Sequence, residues 1–198
     1  DRFESWRGES RLLEVGCATG LLLKRARERG WQTTGVELSP DAVIHAREHG
    51  LDVRQGTLHE AALPGDTYDV VYMGDVLEHV PDCRATLAEV ARVLAPGGHA
   101  VVRGPITTHS LARRLGLAVY GVLGRSIVLR EPPYHLWEFR PASLARLARA
   151  VGLQVVALEQ SKIPAGRPHG KKSALQSLVI NTLDAVNVPL TRAFNILG

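Results

Sequence analysis

The chain has 198 residues, 45% hydrophobic and 22% charged, with a formal net charge of +4. That length supports one domain with a real core, and no apolar run reaches the roughly 18 residues of a membrane span. The positive balance comes from Arg residues scattered along helical segments, and aromatics are only 5%; a nucleic-acid surface needs basic clusters interleaved with stacking rings. The one basic run, "GRPHGKKS" at 166–173, reads as an exposed loop. Cys17 and Cys83 lack metal-binding spacing and are expected to be reduced thiols of a cytoplasmic protein. No secretory signal is visible, and the chain begins at Asp1 without Met.

"RLLEV" (11–15) reads as a buried strand. "LLLKRARERG" (21–30) is a run of helix formers closed by Gly30. "QTTGVEL" (32–38) is the second strand. "SPDAVIHAREHG" (39–50) has Ser39 as N-cap, Pro40 at the first helical position and Gly50 at its end. "LDVRQG" (51–56) alternates like a strand, and "YDVVYMG" (68–74) suits a central parallel strand. "CRATLAEVARVLAPGG" (83–98) is a helix with Leu87, Val90, Ala91 and Leu94 on one face, stopped by Pro96, Gly97 and Gly98. "HAVVRGP" (99–105) is a strand, "RPASLARLARAVG" (140–152) a helix and "LQVVALEQ" (153–160) a strand.

This alternation predicts a single α/β domain over 1–198: a Rossmann-like, doubly wound, mostly parallel sheet with helices on both faces. Residues 106–130 and 173–197 stand outside it. The first segment follows a strand and is placed to cap a ligand crevice. The second reads as an amphipathic helix broken at Pro189, for packing or an interface. No oligomeric state follows from either.

The stretch "EVGCATG" (14–20) lies between the first strand and first helix. A dinucleotide loop needs G-x-G-x-x-G, which is not matched, and a P-loop needs Lys and Ser or Thr, which are missing. What remains is E-x-G-x-(G/A)-x-G. It resembles the nucleotide-binding loop of class I S-adenosylmethionine-dependent methyltransferases. Gly16 permits a sharp turn and close backbone approach. Gly20 opens the next helix, and free N–H groups there can receive a carboxylate. Cys17 and Ala18 lie between them, Ala18 where the family has its middle glycine. Glu14 orients the loop or meets the cofactor's ammonium group. Glu37, with Leu38 beside it, ends the second strand where an acidic side chain accepts ribose hydroxyls; nicotinamide enzymes share this feature, so it does not choose the cofactor. The resemblance implies that Gly56, Thr57 and Leu58 meet the adenine, with Thr57 where Asp is usual.

Downstream, "YDVVYMGDVLEHVPD", "LAEVARVLAPGGHAVV" and "YHLWEFRPASLARLARAVGLQVV" are similar to the small-molecule branch of that family, the quinone-pathway enzymes in particular. The resemblance covers 11–105 and 134–158. It implies S-adenosylmethionine as donor, S-adenosylhomocysteine as product, and a small-molecule acceptor methylated on oxygen before nitrogen or carbon. The methyl group then sits near the end of the fourth strand. Gly74 leaves room there and offers its carbonyl, and Asp75, Glu78 and His79 are the candidate catalytic residues, as general bases or as helix-capping groups. D-x-x-E-H at Asp75, Glu78 and His79 resembles the E-x-x-E-H stretch in which quinone-pathway O-methyltransferases can hold a divalent cation. Asp75 is shorter than the Glu it replaces, so no metal ligands are assigned. His109, His135 and Trp137 are placed at the acceptor. The competing classes are a non-catalytic cofactor-binding scaffold and, against the loop spacing, a nicotinamide-dependent oxidoreductase.

Overall fold

A computed structural model describes residues 2–104, 122 and 135–159. The chain divides into two compact units. The first comprises Asp1–Ile106, His135–Phe139 and Ser143–Val155, and it holds the sheet and every site residue placed below. The second comprises Thr107–Tyr134, Arg140–Ala142 and Val156–Gly198. His109, the proposed cap at 106–130 and the segment 173–197 lie outside the described residues, apart from Val122. The single-domain expectation for 1–198 runs over that same undescribed part.

Five strands form one parallel sheet: β1 (Arg11–Val15), β2 (Gln32–Glu37), β3 (Asp52–Gln55), β4 (Tyr68–Gly74) and β5 (Leu94–Arg103). Their order is β3-β2-β1-β4-β5. The chain winds one way from β1 to β3, then crosses back to β4. The strand order therefore reverses between β1 and β4, and ligands of such sheets sit outside the carboxyl ends at that point.

Side chains alternate across each strand, which sorts the core into two layers. Leu12 and Val70 face one side and pack with Leu23 and Ala26 of α1 (Leu21–Glu28) and Val43 and Ala46 of α2 (Pro40–Glu48). Leu13, Val15, Val71 and Met73 face the other, against Leu87 and Val90 of α3 (Cys83–Val93). Leu144 and Leu147 of α4 (Pro141–Ala150) pack on that second layer. Ser39 caps α2 as its spacing predicts, accepting from the Ala42 N–H at 3.4 Å, with Pro40 in the first turn.

Three expectations change. α3 ends at Val93, and Leu94 already pairs with Tyr68. Pro96, Gly97 and Gly98 then form an irregularity in β5 before His99 pairs with Val70, so they bend a strand rather than end a helix. A side chain at Gly98 would press on the Tyr68 carbonyl oxygen, 2.8 Å from the Cβ position. The predicted strand at 153–160 is absent among the described residues, because 153–159 have no ladder partner there. A 3-10 helix at Arg2–Trp6, unmarked by any cap, precedes β1. It is held by aromatic contacts: Trp6 stacks on His99 at 4.4 Å, and the Trp31 indole donates to Glu4 at 3.1 Å.

Candidate active site

The turn after β1 is pinned by its own backbone. The N–H groups of Gly16 and Cys17 both donate to the Val36 carbonyl oxygen, at 2.8 and 3.2 Å. Gly16 has φ +71°, and a Cβ there would run into Val76 Cγ2. Gly20, at φ +79°, begins α1 with no side chain capping the helix, which leaves N–H groups at its start for a ligand. Ala18 also stands at positive φ, +47°. Cys17 takes part through its backbone alone. Its thiol is buried against Leu23 and the space of Gly35, where a Cβ would lie 2.6 Å from the sulfur. Burial, with Glu14 and Glu37 nearby, pushes that thiol up to about 12.

Glu37 ends β2 and reaches back. Its Oε2 accepts the Ala18 N–H at 2.8 Å and its Oε1 accepts the Ser39 N–H at 2.9 Å. Glu14, on the neighbouring strand, is 8% exposed and its Oε2 has no hydrogen-bond partner among the described residues. Burial pushes its carboxyl up to about 7, against a hydrogen bond from the Leu23 backbone that pulls the other way; the Glu37 charge adds to the rise. A buried carboxyl oxygen left without a partner fits a ligand carrying an ammonium group.

The turn after β3 is closed on itself. The Thr57 hydroxyl donates to Glu60 Oε2 at 2.8 Å and accepts the Glu60 N–H at 3.2 Å, a reciprocal cap. Gly56 donates to the Glu37 carbonyl oxygen at 2.9 Å, so this turn abuts the end of β2. Leu58 turns into the core, 4% exposed, because its apolar side chain packs with the β-sheet layer. Leu38, 66% exposed, is instead the apolar group open beside Glu37.

At the end of β4 the space over Gly74 is filled by the Tyr72 phenol, whose oxygen lies 2.8 Å from a Gly74 Cβ position. Asp75 is exposed at φ +54°, its N–H bonded to the Arg103 carbonyl oxygen at 2.9 Å. Glu78 and His79 lie on a 3-10 turn, Leu77–His79. Glu78 is 2% exposed, and its Oε1 is buried with no hydrogen-bond partner among the described residues.

Residues 135–137 are tied to this turn by main-chain bonds. The N–H groups of Leu136 and Trp137 donate to the Glu78 carbonyl oxygen at 2.8 and 3.2 Å, and the Trp137 indole donates to the Val80 carbonyl oxygen at 2.7 Å. The His79 and His135 rings meet edge to face at 4.9 Å. Glu78, His79 and His135 thus bring donor atoms within 4.8 Å of one another, and Asp75 is not part of that group. A buried carboxylate and two imidazoles suit a divalent cation.

Sequence reasoning did not find Gly35, Val76 and Gly104. Gly35 interrupts an otherwise ordinary strand, the usual sign of a close approach; it makes room for Cys17 and Leu23. Gly104 lies over Glu78, with a Cβ position 3.0 Å from Oε2.

A parallel sheet with a glycine turn at its reversal point and an acidic residue ending the next strand defines a Rossmann-like cofactor-binding protein. Residues 3–158 match a family model described as a methyltransferase domain. The ubiquinone biosynthesis O-methyltransferase of Alkalilimnicola ehrlichii is 34% identical over 154 residues, covering 72% of this chain and 60% of that protein. Its counterpart in Methylococcus capsulatus is 33% identical over 159 residues, covering 74% and 64%. The chain therefore spans less than two thirds of the length of these relatives. Among solved structures, a SAM-dependent methyltransferase from Archaeoglobus fulgidus aligns with TM-score 0.62 at 19% identity, over 94% of this chain and 83% of that one. Phosphoethanolamine N-methyltransferase 2 of Haemonchus contortus, in complex with S-adenosyl-L-methionine, aligns with TM-score 0.58 at 18% identity, over 72% and 33%. They share the fold. The chain belongs to the methyltransferase domain family. No helix among the described residues is long and apolar enough to cross a membrane.

Proposed function

We propose that this chain transfers a methyl group from S-adenosylmethionine to a hydroxyl oxygen of a small-molecule acceptor, releasing S-adenosylhomocysteine. The carrying observation is the pair of carboxyls at the sheet's reversal point. Glu37 brackets the glycine turn, and Glu14 keeps a buried oxygen without a hydrogen-bond partner beside it. In this reading Glu37 accepts the ribose hydroxyls, Glu14 meets the ammonium group, and the start of α1 receives the carboxylate. Gly56 and Thr57 border the adenine, with Leu38 against the nucleoside.

The transfer is an in-line displacement. The acceptor oxygen bonds to the methyl carbon as the carbon–sulfur bond breaks, and the hydroxyl proton leaves to a base. Positioning supplies much of the rate. His79, with His135 edge-on to it, is the base at the end of β4. Trp137 and His135 border the acceptor. A divalent cation is the alternative to that base: held by Glu78, His79 and His135, it would lower the pKa of the acceptor hydroxyl. Oxygen is preferred as the accepting atom because the relatives above 30% identity are named O-methyltransferases. The cytoplasm is the proposed compartment, supported by the two buried, unpaired cysteines.

Calorimetry with S-adenosylhomocysteine, followed by transfer of labelled methyl groups to a panel of phenolic, amine and carbon acceptors, tests the proposal. Binding and labelled phenol ether are expected. Absence of binding removes the cofactor assignment, and binding without transfer to any acceptor favours the scaffold reading.

A further inference from the structure

Building on the methyl-transfer reading, on which this step rests, we propose that Arg103, positioned by Tyr72, selects an acceptor that carries a carboxylate as well as the hydroxyl to be methylated. In the sheet register Glu14 pairs with Tyr72, and Gly74 pairs with Arg103. Paired residues of neighbouring strands share a face, and so do residues two apart on one strand. Glu14, Tyr72, Gly74 and Arg103 therefore stand on one face, in a row across the carboxyl ends of β1, β4 and β5.

Tyr72 fixes where the guanidinium stands. Gly74 has no side chain, and the Tyr72 phenol lies over it, its oxygen 2.8 Å from the Cβ position. The Phe3 ring borders the same phenol, with centroids 6.1 Å apart. Arg103 Nη1 then donates to the phenol oxygen at 3.4 Å. That bond uses one of the five guanidinium donors. Arg103 is otherwise exposed, and no carboxylate lies within salt-bridge distance of it among the described residues. Asp75 meets it through the main chain, donating its N–H to the Arg103 carbonyl oxygen.

The charge pattern gives this arrangement its meaning. The five strands end on Val15, Glu37, Gln55, Gly74 and Arg103, so Arg103 is the one cation among those ends. In the proposed reaction the sulfonium carries its methyl group to the end of β4, one strand away from Arg103. Two positive groups that near repel each other. An acceptor carboxylate on Arg103 removes the repulsion and gains charge-assisted hydrogen bonds to a planar fork that matches it. Arg103 is a single positive charge near Glu14, Glu37 and Asp75, which suits a monoanion rather than a phosphate dianion.

The test compares kcat/KM for two acids, 3,4-dihydroxybenzoate and 3,4-dihydroxycinnamate, with kcat/KM for their methyl esters, using labelled S-adenosylmethionine. S-adenosylhomocysteine calorimetry is run on the same samples. Wild type is expected to favour at least one acid over its ester by about 10-fold or more. Arg103→Gln is expected to bring that ratio to about one, and Arg103→Lys to restore part of it. Tyr72→Phe should lower the ratio without abolishing it, a change that a purely structural role of the phenol would not produce. All variants are expected to bind S-adenosylhomocysteine. Where wild type binds S-adenosylhomocysteine, equal use of acid and ester, transfer to none of the four probes, or an acid preference that survives Arg103→Gln overturns the assignment. Failure of wild type to bind S-adenosylhomocysteine overturns the methyl-transfer reading itself.

Discussion

The carboxylate of Glu37 accepts the backbone N–H of Ala18 at 2.8 Å, joining the end of β2 to the middle of the turn after β1. Its other oxygen accepts the N–H of Ser39. One side chain thus holds the glycine turn closed and starts α2. A carboxylate has about four lone-pair directions, so both oxygens can still accept from ribose hydroxyls. Glu37→Ala is expected to weaken S-adenosylhomocysteine binding about 10- to 100-fold, the loss of charge-assisted hydrogen bonds. The melting temperature should move by less than about 2 °C, because the freed N–H groups can bond to water. Calorimetry and a thermal melt read both; unchanged affinity removes Glu37 from the ribose.

Ala18 carries the strain of that arrangement. It sits at φ +47°, where an L side chain crowds its own backbone by roughly 1–2 kcal/mol. Glycine removes the crowding but adds about 0.4–1 kcal/mol of freedom to the unfolded chain. The balance predicts that Ala18→Gly stabilises by about 0.5–1 kcal/mol, a rise in melting temperature of about 1–4 °C. Gly16→Ala should do the reverse and more, since its Cβ meets Val76 as well as the positive φ. A loss of about 2–4 kcal/mol is expected, read from denaturant melts. An Ala18→Gly variant less stable than wild type would show that the turn depends on the methyl group.

The strands and helices of the sheet were legible because each is local. Ser39 and Pro40 announce α2, Gly30 and Gly50 end their helices, and the apolar run of β4 marks its burial on both faces. The glycine turn between β1 and α1 was legible for the same reason: Glu14, Gly16 and Gly20 lie close together in the sequence. β5 was misread because Pro96 and Gly97 break helices and bend strands alike, and only the pairing of Leu94 with Tyr68 decides between them. Leu58 is set at the adenine by the family resemblance alone, and its side chain packs in the core. The family resemblance sets both His79 and His135 at the acceptor, but their direct contact has no local sign: no local pattern records a hydrogen bond between segments 58 positions apart, such as Leu136 with Glu78 (136 − 78).

The two cysteines should be chemically silent in the folded chain. Cys17 is pushed up to about 12 and Cys83 to about 11, burial being the largest cause for each. At pH 8 the thiolate fraction of Cys17 is then on the order of one in ten thousand, and only the thiolate is a nucleophile. Cys83 also donates its proton to the Leu77 carbonyl oxygen at 3.3 Å. Iodoacetamide at pH 8 is expected to label neither residue in native protein, and both in denaturant, as read by intact mass. Rapid native labelling of Cys17 would mean that the glycine turn opens in solution.

Glu14 makes the protein sensitive to pH in two linked ways. Its carboxyl titrates near 7 when folded, above its ordinary 4.5, chiefly because it is buried. The folded state therefore holds this proton more tightly than the unfolded state does. Below pH 4.5 both states are protonated and Glu14 costs nothing; as pH rises towards 7 the unfolded chain releases the proton first and stability falls. Well above 7 the loss levels off, on the order of 3 kcal/mol. Melts of wild type against Glu14→Gln between pH 5 and 8 should show the variant gaining stability relative to wild type across that window. Ligand binding runs the other way. An ammonium group beside Glu14 favours the ionised form, so S-adenosylhomocysteine affinity should rise about tenfold from pH 6 to pH 8 and level off above 7. That rise disappears in Glu14→Gln if the ammonium group is where Glu14 meets the ligand. An affinity independent of pH in wild type places the ammonium elsewhere, even where the stability curves behave as expected.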